Sequence, residues 1–144
     1  MSPSRRCRPA PRAPLAAPAV LTFDDAVDVL TAALGPEPGI ACLLLDADQR
    51  LLTCLDVGGA SDTDALLDVV EVVLAVATQE GALSSIVLAC HRPGSSARPE
   101  DGETCCYYEL QDVFADAGLV LLDWLLVTER GIASFARLTG SGAW

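Results

Sequence analysis

Residues 83–103 read LSSIVLACHRPGSSARPEDGE, and this stretch decides the fold. From Ile86 to Cys90 the run is almost continuously apolar, as in a central strand buried on both faces. It then changes to Gly, Ser and Pro, a connecting loop. The chain's single histidine, His91, stands at the join between Cys90 and Arg92. Beyond the loop, Thr104 to Ala117 reads as a helix ended by Gly118, and LVLLDWLLVT (119–128) reads as a second buried strand. A strand, a helix and a strand in succession imply a sheet with helices packed on its faces.

The flanks extend this pattern. TFDDAVDVLTAAL (22–34) predicts a helix, with Thr22 as N-cap and Asp24 and Asp25 favoured by the helix dipole in its first turn. GIACLLLD and RLLTCLDV, joined by the turn DADQ, predict a hairpin. A helix follows over Ala65–Thr78, capped by Ser61 or Asp62, with Asp64, Asp68 and Glu71 on one water-facing side. Its many β-branched residues are poor helix formers, so burial must hold it. After the fourth strand, IASFARL (132–138) alternates as a fifth, half-exposed strand. The expectation is one three-layer α/β domain over residues 21–138, with a mixed sheet of about five strands and helices on its faces. Residues 1–20 form an Arg/Pro/Ala leader expected to be disordered, and residues 139–144 a short tail.

Charge narrows the function. The formal net charge is −11, and all nine basic residues are arginine. Four of them (Arg5, Arg6, Arg8 and Arg12) precede residue 13, which leaves five arginines against 20 carboxylates, or −15, on the body. Such a body repels phosphate backbones, so direct nucleic-acid binding is not expected. No apolar run reaches the ~20 residues of a membrane span, and prolines 11, 14 and 18 interrupt any export signal. The six cysteines show no disulfide framework and read as reduced thiols in a soluble, cytoplasmic protein.

The segment Ile86–Phe135 resembles the RadC-like branch of the JAB/MPN metalloprotease-like domains. IVLACHRPG, ARPEDGE, AGLVLLDWLLV and GIASF fall in the family's order, and Pro93, Pro99, Gly118, Leu122 and Asp123 coincide with its framework. Upstream, CLLLDADQRLL and DVGGA look like the family's first hairpin and the loop after it, so the similarity covers about Ile40–Leu138. The resemblance implies a JAB/MPN, cytidine-deaminase-like architecture and, in family members, zinc-dependent cleavage of isopeptide or peptide bonds.

In the family, an H-x-H pair and a later aspartate hold zinc, and an upstream glutamate is the general base. Imidazoles and a carboxylate are good zinc donors, and the metal lowers the pKa of the water in its open position. Carried onto this chain, the ligands become Cys90, Arg92 and Glu103, while the serine of S-x-x-D becomes Glu100. Arg92 has no lone pair to give and stays protonated. The glutamate position falls near Thr53–Leu55, where no carboxylate stands; Asp56 is the nearest candidate base. On a strand end His91 points away from Cys90 and Arg92 and reads as a bystander. Trp124, in place of a family histidine, reads as packing.

Two readings follow. The first is a non-catalytic RadC-like domain that has lost the zinc site and binds a protein or peptide partner, a homodimer being compatible with it, with no cofactor and no metal. The alternative is an active metal-dependent hydrolase whose zinc is held by Cys90, Glu103 and Cys105 or Cys106.

Overall fold

The computed structural model of the protein describes residues 18–59, 62–79, 81–94, 98–140 and 144. Most of the expected leader, and residues 141–143 of the tail, lie outside the described residues. Helix α1 (Phe23–Ala33) opens on a reciprocal capping box: the Thr22 hydroxyl accepts from the Asp25 N–H, and the Asp25 carboxylate accepts from the Thr22 N–H. Strands β1 (Gly39–Leu45) and β2 (Leu51–Gly58) form the expected antiparallel hairpin. Helix α2 (Thr63–Gln79) starts where Asp62 accepts from the Ala65 N–H at 2.9 Å. Its Asp64, Asp68 and Glu71 are exposed, while Leu66, Val69, Val70 and Val73 are buried. Burial thus supplies what the valines lack in helix propensity.

Strand β3 (Ser85–His91), helix α3 (Glu103–Asp116) and strand β4 (Val120–Thr128) form the crossover unit read from the central stretch, and β3 and β4 are parallel. β5 (Gly131–Ser134) returns antiparallel to β4, and α4 (Phe135–Thr139) follows. The sheet order is β2-β1-β3-β4-β5. The fold is therefore α/β with a five-stranded mixed sheet.

The expected fifth strand is half right. IASFARL is strand only to Ser134; there the Ser134 hydroxyl accepts from the Arg137 N–H at 3.1 Å and starts a helical turn. A buried carboxylate, Asp123, also takes the Ala136 N–H at 3.0 Å, so local capping overrides the alternating pattern.

The sheet separates two apolar layers. On one face Ile40, Cys42, Leu44, Leu88, Cys90 and Trp124 pack with α2 and α3. On the other Ala41, Leu43, Leu45, Val87 and Ala89 pack with Ala26 and Leu30 of α1. All seven residues of β1 are buried, as a central strand covered on both sides requires. Gly39 is obligatory there, because a Cβ would sit 2.9 Å from the Val57 carbonyl oxygen of β2. Among the described residues no helix is long and apolar enough to cross a membrane.

Candidate functional site

Strand alternation puts Cys90 and Arg92 on the α2/α3 face. The Arg92 N–H donates to the Val127 carbonyl at 2.9 Å, so the pleat continues one residue past β3. His91 points to the opposite side, where its Nδ1–H donates to the Glu37 carbonyl at 2.8 Å. Glu103 arrives from the first turn of α3. Gly102 enters that turn with φ of +84°, a left-handed conformation that disfavours any side chain. The helix has no side-chain N-cap, and Glu103 itself supplies the negative charge its N-terminus favours.

These three residues meet. Arg92 and Glu103 form a two-pronged ion pair: Nη1 donates to Oε1 at 2.9 Å, and Nη2 donates to Oε2. Both side chains are nearly buried, at 11% and 5% exposure. Glu103 Oε1 also accepts the Glu100 N–H at 2.6 Å, and Arg92 Nη1 lies 3.5 Å from the exposed Glu100 carboxylate. The hydrogen bond to Glu103 is the main force holding the guanidinium above its ordinary pKa. The Cys90 sulfur accepts from the Trp124 indole N–H at 3.2 Å. Burial pushes its thiol up to about 11, although the indole hydrogen bond and the Arg92 charge pull the other way. Burial thus disfavours the thiolate, the form in which a cysteine acts as a nucleophile. Trp124 is fully buried and stacks on Phe135 with ring centroids 4.3 Å apart.

Asp56 is not part of this cluster. It pairs with Ala41 and shares its face with Cys54, whereas Leu55 and Val57 face the Cys90 side. On the side of the cluster the second strand therefore presents Leu55 and not Asp56. Cys105 is exposed, and Cys106 is half-buried with its thiol pushed up by burial. Among the described residues no three His, Cys, Asp or Glu side chains are grouped so as to hold a metal ion.

A family model for the RadC-like JAB domain matches residues 21–140. The chain belongs to the RadC-like JAB domain family. A crystal structure of cytidine deaminase from Burkholderia pseudomallei matches with a TM-score of 0.40 and 14% identity, over 82% of this chain and 96% of that chain. No curated protein matches the sequence.

In this RadC-like JAB domain the three positions that the sequence resemblance sets against the family's zinc ligands carry a buried thiol, a guanidinium and a carboxylate bound to that guanidinium. Both Glu103 oxygens are engaged, and Arg92 sets a positive charge beside them. This donor set does not fit zinc.

The RadC-like JAB domain also has a polar cluster on its other face that the sequence reading did not single out. An irregularity in the β3–β4 register turns Asp123 toward the α1 side. Fully buried, its carboxylate accepts from the Trp124 N–H at 2.7 Å, the Ser134 hydroxyl at 2.5 Å, the Ala136 N–H at 3.0 Å and the Trp144 indole at 2.9 Å. The available signal was an aspartate inside an otherwise apolar strand, which must find donors if it is buried. The Arg92–Glu103 pair had a signal too, since the two carried-over positions changed to residues of opposite charge.

Proposed function

We propose that this RadC-like JAB domain is a non-catalytic binding or scaffold domain that recognises a protein or peptide and uses no metal. The observation that carries the reading is the buried Arg92–Glu103 pair: the resemblance sets both residues against zinc ligands, and each is bound to the other. Two further features support it. Burial disfavours the Cys90 thiolate, and none of Thr53, Cys54 and Leu55, where the resemblance expects the general base, is a carboxylate. The −15 body favours a protein partner over a nucleic acid. The free thiols among the described cysteines are in keeping with a reducing compartment such as the cytoplasm.

The test is metal analysis of protein prepared without chelator and without a metal-affinity tag. Zinc well below one equivalent is expected, and no peptide or isopeptide hydrolysis. Stoichiometric zinc that disappears in Cys90→Ser would overturn the reading in favour of a remodelled hydrolase. In the same assay, Cys90→His, Arg92→His and Glu103→Asp combined should create zinc binding, because the substitution replaces the cation with a donor at an otherwise retained geometry.

A further inference from the structure

Exposed apolar surface and uncompensated negative charge concentrate on one seam of the molecule, between β2 and α2. Of the nine large apolar side chains exposed among the described residues, Leu52, Val57, Leu67 and Val72 lie on these two elements. From Leu51 to Gln79 the sequence holds five carboxylates and no lysine, arginine or histidine. All five, Asp56, Asp62, Asp64, Asp68 and Glu71, are exposed. On α2 like charges stand one turn apart, Asp64 and Asp68 at i, i+4 and Asp68 and Glu71 at i, i+3. Such pairs repel, and α2 has no cation of its own to relieve them.

Along the seam runs an apolar trough. One hollow of about 250 Å3 is lined by Leu55, Val57, Val69 and Val72, with Asp56 on the strand side and Asp68 on the helix side. A second, of about 200 Å3, is lined by Leu44, Leu52, Thr53, Val76 and Leu83. Val76 lies one helical turn beyond Val72, and Thr53 two strand residues before Leu55, so the hollows follow one another at about 5–7 Å. Neighbouring side chains on one face of a peptide have that separation, i to i+2 when extended and i to i+4 when helical. Val57 and Val72 are 47% and 51% exposed, so the mouth of the first hollow is open to solvent.

We propose that this trough docks a basic segment of a partner protein, which sets two apolar side chains into the hollows and lysine or arginine against the carboxylates around them. The proposal rests on the binding-domain reading above and names the chemistry of the partner. Apolar walls call for apolar anchors, because contact removes both surfaces from water. Charge then selects among segments that carry such anchors: an acidic one is repelled by Asp56, Asp64, Asp68 and Glu71, and a basic one is attracted. Lysine and arginine suit both demands, since their methylene stems lie along an apolar wall while the charged ends reach its edge. A second copy of this chain is a poor occupant. A twofold contact would set this face against itself, carboxylate against carboxylate, between bodies of −15.

Fluorescence anisotropy with the full chain and three labelled peptides of equal length tests this: a Lys-Leu-Arg-Val repeat, a Glu-Leu-Glu-Val repeat and a Lys-Ser-Arg-Ser repeat. The first should bind, and the other two at least about tenfold more weakly. Asp64→Asn, Asp68→Asn and Glu71→Gln combined should weaken the first peptide by about tenfold, and so should Val57→Ser with Val72→Ser. Glu109→Gln, Asp112→Asn and Asp116→Asn remove the same charge from α3 and should change nothing. In the unmutated chain the methyl resonances of Val57, Val69 and Val72 should move with the first peptide while those of Val87 and Val113 stay, which keeps the test decisive if a variant folds poorly. Equal weakening by the α3 substitutions would make binding a matter of total charge and overturn the proposal. So would absence of binding, or self-association of the free chain that Val57→Ser with Val72→Ser abolishes, which would identify a second copy as the occupant. These failures leave the metal analysis untouched, whereas stoichiometric zinc would strike the non-catalytic reading whatever the peptides do.

Discussion

Two carboxylates lie buried on opposite faces of one sheet, and they are held in opposite ways. Glu103 meets a guanidinium, a full charge against a full charge. Asp123 meets no cation among the described residues; four neutral donors surround it. The first arrangement joins β3 to α3. The second joins β4 to β5, α4 and the last residue of the chain. An ion pair depends on both partners being present, because either charge left alone in the interior is expensive. A ring of dipoles divides the load, so each donor matters less.

Breaking the ion pair from one side should give the largest effect. Arg92→Ala is expected to cost about 3–5 kcal/mol in urea unfolding, and Glu103→Ala a similar amount. Replacing both at once with Arg92→Met and Glu103→Leu should be neutral or stabilising. A double variant as unstable as the single ones would contradict this account of the pair.

The dipole ring should yield less at each step. Asp123→Ala strands several buried donors and should cost about 2–3 kcal/mol; Ser134→Ala should cost about 1 kcal/mol. If Ser134→Ala matched Arg92→Ala, the division of load would be wrong.

Alkaline pH separates the two faces next. The Cys90 thiol is raised from 9.0 to about 11, so the unfolded chain loses this proton first. Stability from this group is complete below pH 9 and is lost as pH climbs toward 11. Cys90→Ala should make that part of the stability profile shallower, the remaining slope coming mainly from the buried Cys42 thiol, which burial raises further, while Ser134→Ala leaves its shape unchanged. The smallest effect is expected from Trp124→Phe, which keeps the ring on Phe135 but removes the indole bond to Cys90. It should cost about 1 kcal/mol and raise the thiol further, read as slower alkylation of Cys90.

The α/β order, the hairpin, the helix caps and the crossover unit were legible because each rests on local chemistry. Thr22 and Asp25 cap α1 from three residues apart, and the apolar run of β1 can only be a strand covered twice. Alternation was enough to separate His91 from Cys90 and Arg92. It was not enough to end β5, because Ser134 becomes a helix cap only when Asp123, eleven residues upstream, takes the Ala136 N–H. The candidate site was legible in its positions but not in its bonding. That Arg92 and Glu103 would grip each other depends on the loop returning α3 to the end of β3, a distance in space that no spacing in the chain encodes. The Trp124–Cys90 contact, across 34 residues, was hidden for the same reason.

Between β3 and β4 the chain must travel over the sheet before it can lay down a parallel strand, and the Arg92–Glu103 grip fastens the outward leg of that journey. A fastening made of two side chains is complete once the ribosome has finished the segment. The grip is closed by side chains of the chain itself, one from the end of β3 and one from the first turn of α3.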